Sequence, residues 1–159
     1  MSAVRITPVA LAERDALEQM ATGYFREVLP KGPPFVPGTL DSYWLKRGRH
    51  PYFIGLDGQQ IGFALVWTHP DGTHELAEFT INKAWRGKGL GTEAAQLVFH
   101  ALGGDWTLGV ASTPPGALSF WRQCLEACEG ACEIVQGPPK TPSQCGSFSF
   151  RIARGAPHD

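Results

Sequence analysis

Seven stretches with strand character and four with helical character, in the order β-α-α-β-β-β-α-β-α-β-β, predict a mixed α/β (α+β) fold in one domain over residues 1–159. Two observations carry most of that reading. Tyr52 to Leu56 and Ile61 to Thr68 flank Asp57-Gly58, a two-residue hairpin signal, and Glu75 to Ile81 follows as a third consecutive antiparallel strand. Beyond it, Leu90, Ala94, Leu97, Val98, Ala101 and Leu102 recur at helical spacing and give one apolar face. Between this strand and this helix lies the glycine-rich run Arg86-Gly87-Lys88-Gly89-Leu90-Gly91.

The remaining elements follow from local chemistry. Val4 to Thr7 forms a short first strand, and Ala10 through Leu29 reads as helix, with Leu11, Leu17, Met20, Phe25 and Val28 turned inward. Pro30 to Gly38 is a loop, because proline lacks an N–H and fixes φ. A short helix from Thr39 to Arg47 follows. Within Ile61 to Thr68 the residues Gly62, Ala64, Val66 and Thr68 alternate with Ile61, Phe63, Leu65 and Trp67, and the small ones leave room for something packed close. Trp106 to Val110 is the next strand. Pro114-Pro115-Gly116 leads into a helix over Ala117 to Cys128, proline being tolerated in a first turn. Cys132 to Val135 and Ser147 to Ile152 are late strands joined by the loop Gly137 to Gly146. They could also pair with a second copy, which leaves a homodimer open.

Composition narrows the function classes. A chain of 159 residues supports one sizeable core, and 43% hydrophobic with 18% charged residues is the balance of a folded globular protein. A net charge of −1 without a basic stripe argues against a nucleic-acid partner. No run approaches the roughly 18 apolar residues of a membrane span, so no membrane partner is expected. Glu13, Arg14 and Asp15 interrupt the N-terminal segment before it can form a signal-peptide core, so a cytoplasmic location is expected. The four cysteines include no C-x-x-C pair and no histidine at zinc-finger spacing; they read as reduced thiols, with no metal.

The glycine-rich run suits an anion. A turn that opens a helix presents free backbone N–H groups, the helix dipole adds partial positive charge, and Arg86 and Lys88 supply mobile cations at the rim. A P-loop is excluded, because no lysine separates Gly91 from Thr92. Gly87, Gly89 and Gly91 are spaced G-x-G-x-G rather than G-x-G-x-x-G, which fails the dinucleotide fingerprint. The pattern [RQ]-x-x-G-x-[GA] is met by Arg86, Gly89 and Gly91. Ile81 stands five positions before Arg86, and Ala117-Leu118-Ser119-Phe120-Trp121 opens the helix after the next strand.

On these residues, across roughly 74 to 125, the chain resembles the GNAT acyltransferase superfamily. The resemblance implies a central, mostly antiparallel sheet of six to seven strands flanked by about four helices. It also implies acetyl-CoA as co-substrate and an amine acceptor as the second partner. Backbone N–H groups from Gly87 through Lys88, Gly89, Leu90 and Gly91 to Thr92 would hold the diphosphate, with Arg86 beside them. The pantetheine arm would run along Phe79, Thr80 and Ile81, with Phe120 and Trp121 on the far side.

Amide formation needs a neutral amine, hence a base titrating near working pH. Glu78 is the first candidate, an acid inside an otherwise apolar strand, where burial raises a carboxyl's pKa; Glu75 and His74 are the alternates. The N–H of Ile81 could hold the developing oxyanion. Many members of the family carry a tyrosine where this chain has Trp121, and an indole N–H is not a usable acid. That departure motivates an alternative, an acyl-CoA-binding sensor with little catalysis. A third reading is an unrelated binder of a phosphate ligand. For the acceptor, Tyr24, Tyr43 and Trp44 could form an aromatic wall.

Overall fold

The computed structural model describes residues 3–153. In chain order the elements are β1 (Val4–Pro8), α1 (Arg14–Val28), α2 (Ser42–Leu45), β2 (Arg49–Leu56), β3 (Gln59–Thr68), β4 (His74–Ile81), α3 (Leu90–Leu102), β5 (Gly104–Ala111), α4 (Ala117–Ala127), β6 (Ala131–Gly137) and β7 (Gln144–Ile152). Among the described residues the strands form one seven-stranded sheet in the order β1-β2-β3-β4-β5-β7-β6. Every neighbouring pair is antiparallel except β4 and β5. The mixed, mostly antiparallel sheet with four flanking helices is therefore the fold the sequence predicts.

The hairpin between β2 and β3 turns at Asp57 and Gly58, with φ of 51° and 80°. Two positive φ values match the twist of the flanking strands, which explains why Asp-Gly sits there. The sheet buries both faces. Leu17 and Ala21 of α1 and Tyr43 of α2 cover Phe53, Phe63 and Leu65 on one face. Helices α3 and α4 cover Ile54, Ala64, Val66, Leu76, Leu108 and Phe148 on the other. The small side chains of Ala64 and Val66 thus face the helix layer of α3 and α4. Ile61 joins them rather than Phe63 and Leu65, because a bulge opposite Ile54 and Gly55 resets the alternation of β3.

Some details differ from the sequence reading. Leu11 is 57% exposed, because Leu11–Glu13 form a separate 3-10 turn before α1 begins. In α3, Ala95 and Phe99 are buried while Leu97 is 39% exposed and Ala101 is also exposed. The buried arc is centred on Val98, so Leu97 and Ala101 fall at its margin. The helix expected over Thr39 to Arg47 contracts to Ser42–Leu45, since Lys46 already has extended backbone leading to β2. Among the described residues no helix is long and apolar enough to cross a membrane.

Candidate active site

Strands β4 and β5 pair only from His74 to Leu76 with Trp106 to Leu108, and beyond that they part. In the opposite pairing, Leu65 faces Glu78 while Val66 faces Leu76, so Ala77 is an extra residue, a β-bulge. The bulge resets the alternation of β4. Leu76, Phe79 and Ile81 join the core under α3 and α4, and Glu78 points to the α1 side. The Asn82 N–H donates to the Ile61 carbonyl at 2.7 Å, which makes Ile81 and Gly62 a non-hydrogen-bonded pair. The N–H of Ile81, and that of Phe79 two residues earlier, therefore face away from β3 into the gap that β5 leaves. A cavity of about 660 Å³ fills this gap, walled by Tyr24 and Glu27 of α1, Glu78 to Ile81 of β4, the glycine run, and Phe120 and Trp121 of α4.

Glu78 is half-buried at this cavity, and the Tyr24 hydroxyl donates to its Oε1 at 2.9 Å. Burial pushes the Glu78 carboxyl up to about 7; the Tyr24 hydrogen bond opposes that rise and the charge of Glu75 adds to it. Burial first, then the Glu78 charge, push the Tyr24 phenol well above its ordinary value, so it stays protonated. The nearby Phe79 N–H works weakly against that rise. Of the alternates, Glu75 lines the cavity but is held by His69 Nε2 at 2.9 Å. His74 lies outside the lining, bonded through Nδ1 to Thr68 Oγ1 at 2.8 Å and packed on Trp106.

The sequence offered Tyr24 as a wall of the acceptor site, but not as the partner of Glu78. Tyr24 lies 54 positions from Glu78, and only the packing of α1 on β3 brings them together. The three-membered aromatic wall does not form. Tyr43 is buried beneath Arg49 in the second core, and Trp44 Nε1 donates to the Val9 carbonyl at 2.9 Å.

The glycine run follows a 3-10 turn at Lys83–Trp85. Gly87 and Gly89 both have φ of 78°, the left-handed region that glycine enters without steric cost. Gly91 has a different reason to be glycine: a Cβ there would lie 3.2 Å from the Phe120 ring. Leu90 is buried and anchors the start of α3, and Thr92 lines the cavity. Among the described residues, no turn or cap hydrogen bond takes the N–H of any residue from Gly87 to Thr92; the first is Glu93 N–H to the Gly89 carbonyl.

The rim cations behave differently from expectation. Arg86 is not mobile: its guanidinium donates to both carboxylate oxygens of Glu27 at 2.7 and 2.6 Å, and its Nε donates to the Ile81 carbonyl at 2.7 Å. Guanidinium groups form such forks with carboxylates readily, and the fork occupies the group that was to meet a phosphate. Lys88 extends over the Trp85 ring, 5.3 Å from its centroid, and does not line the cavity.

On the far wall, Phe79 packs edge-on against Trp121 with ring centroids 5.2 Å apart, and Phe120 packs edge-on against Trp121 at 4.9 Å. These rings are both wall and core. Behind them, burial pushes the Cys124 thiol up to about 12, so it offers no thiolate.

The architecture has many solved counterparts. Spermidine N-acetyltransferase from Vibrio cholerae, solved with CoA and spermine, superposes with a TM-score of 0.69 at 11% identity, covering 94% of this chain and 95% of that one. AAC(6')-Ib, solved with paromomycin and acetyl-CoA, gives 0.69 at 17% identity over 94% and 93%. The ribosomal-protein-S18-alanine N-acetyltransferase of Escherichia coli gives 0.61 at 15% identity over 97% of both chains. No curated protein matches the sequence. At such identities these likenesses speak to the fold alone. The family model described as "Acetyltransferase (GNAT) family" matches residues 14–125, from the first turn of α1 into α4. Since that span is well over half the chain and includes Tyr24, Glu78, the glycine run and the two aromatic rings, the chain belongs to the GNAT acetyltransferase family.

Proposed function

We propose that this enzyme moves an acetyl group from acetyl-CoA to a primary amine of a small molecule or peptide, by direct transfer in a ternary complex. One observation carries the proposal: a carboxyl with a pKa near 7 opens into the same cavity as a run of unpartnered amides. Acetyl-CoA supplies the acetyl group already activated as a thioester. The amides from Gly87 to Thr92, at the positive end of the α3 dipole, suit its diphosphate. Phe79, Thr80 and Ile81 would border the pantetheine arm, with Phe120 and Trp121 opposite.

Glu78 takes the proton of the attacking amine, directly or through water. A base with a pKa near 7 is about half ionised at neutral pH, close to the optimum for proton transfer. The Ile81 N–H, turned into the gap, would hold the developing oxyanion. Tyr24 fills the role that Trp121 cannot. Its hydroxyl gives a proton to the departing thiolate and recovers one from the newly protonated Glu78.

Tyr24→Phe removes a bond that holds the Glu78 pKa down. The apparent pKa on the acidic limb of kcat/KM should therefore rise, by about one pH unit. A limb that stays in place removes Tyr24 from the relay.

The assignment as a whole is tested by thermal shift with acetyl-CoA against ATP and NAD, then by thiol release across a panel of amines. Stabilisation by acetyl-CoA alone, with thiol release for at least one amine, supports it. No stabilisation by acetyl-CoA overturns it. Stabilisation without turnover on any amine leaves the acyl-CoA sensor as the better reading.

A further inference from the structure

The glycine run has little of its own to hold its shape. Gly87 and Gly89 are exposed, and a Cβ on either would meet nothing within 4 Å, so no neighbouring side chain packs against them. The run is fixed at its ends, by buried Leu90 on one side and by Arg86 on the other. The Arg86 guanidinium makes four hydrogen bonds to three residues: two to Glu27, one to the Ile81 carbonyl, and one from Nη2 to Thr80 Oγ1 at 3.3 Å.

Glu27 lies three residues beyond Tyr24 on α1, so both project from one face of that helix. Through Tyr24, α1 touches Glu78; through Glu27, it touches the start of the glycine run. The Glu27–Arg86 pair, with Tyr24 and Thr80, also borders a neighbouring cavity of about 440 Å³ that Met20, Gly23 and Lys83 help to line. The ion pair is thus part of the wall between the two spaces.

We infer that Glu27 is a positioning residue: its fork with Arg86 ties the acetyl-CoA loop to the helix that carries Tyr24, so that the loop amides keep the shape that receives the coenzyme. This rests on the acetyl-CoA reading above. A bidentate pair with side chains 35% and 19% exposed adds on the order of 1 kcal/mol to global stability, a small share of the whole. The effect therefore falls on the conformation of the loop, and it is seen in coenzyme binding rather than in unfolding.

The test compares Glu27→Gln, which keeps the shape and removes the charge, with Arg86→Lys, which keeps the charge and removes the fork. Each should raise KM for acetyl-CoA by roughly tenfold, the scale of one charge-assisted hydrogen bond. The kcat at saturating acetyl-CoA should stay within about twofold, and the double variant should be little worse than either single one, as expected for partners in one interaction. A KM within about twofold of the wild type overturns the inference. So does a fall in kcat at unchanged KM, which is the mark of a merely structural role. Should Arg86→Lys fail to fold, Glu27→Gln carries the comparison, because it alters a partly exposed side chain isosterically. Acetyl-CoA titration of the wild type separates the two levels: a wild type that does not bind it defeats the functional reading itself, whereas a binding wild type with unaffected variants defeats only the role of Glu27.

Discussion

Glu78→Gln lowers kcat by about 10² to 10⁴-fold at pH 7, the usual contribution of a positioned general base, while acetyl-CoA affinity stays near that of the wild type. In the wild type, kcat/KM for a weakly basic amine falls below an apparent pKa near 7, and the variant lacks that limb. The same carboxyl sets a stability signature of known sign. Its folded pKa is about 7 against an ordinary 4.5, so the folded state holds this proton more tightly than the unfolded chain does. Below about pH 4.5 the group is protonated in both states and contributes no difference. Between there and pH 7 the wild type loses stability as pH rises, and above pH 7 the loss is complete, up to about 3 kcal/mol. Glutamine resembles the protonated acid, can still accept the Tyr24 hydrogen bond, and escapes the loss. The variant should thus be the more thermostable protein at pH 8 and nearly equal to the wild type at pH 4. Unchanged turnover rejects Glu78 as the base. Equal melting temperatures at pH 8 would show that its carboxyl is not desolvated.

Gly89→Asp abolishes measurable acetyl-CoA binding, with an expected loss of at least about 10²-fold, since opposed like charges in a binding site cost several kcal/mol. Gly89 is the N-cap of α3 at φ of 78°, and a Cβ there would meet nothing within 4 Å. Aspartate tolerates left-handed backbone better than most residues, so the protein should still fold. Its carboxylate would then lie against the very amides proposed to take the diphosphate, occupying them and repelling the ligand. Gly89→Ala adds only backbone strain and separates the two effects; it should weaken binding far less. The measurement is the thermal shift produced by acetyl-CoA. A full shift in Gly89→Asp would mean that the diphosphate does not sit at these amides.

Much of the molecule can be read from short-range patterns. The Asp57-Gly58 hairpin, the glycine run between a strand and a helix, and the aromatic helix after the next strand are each specified by a few neighbouring residues, and all stand where expected. Glu78 could be singled out because an acid within an apolar strand is conspicuous. Arg86 was legible as a cation beside an anion loop, but not as the partner of Glu27, which is 59 residues away. Tyr24 was legible only as an aromatic wall for the acceptor; nothing in its neighbours marked it as the partner of Glu78, 54 residues away.

The amino-acid order alone determines the element types, the hairpin and the anion-competent turn, because each depends on φ preferences, periodicity or missing N–H groups within a few residues. Only three-dimensional packing sets the bulge at Ala77, the parting of β4 from β5, and the meeting of α1 with the floor of the cavity. The physical reason lies in range. Conformational preference acts between neighbours along the chain, whereas a pKa near 7 at Glu78 and a captive guanidinium at Arg86 arise from desolvation and hydrogen bonds between groups more than fifty residues apart.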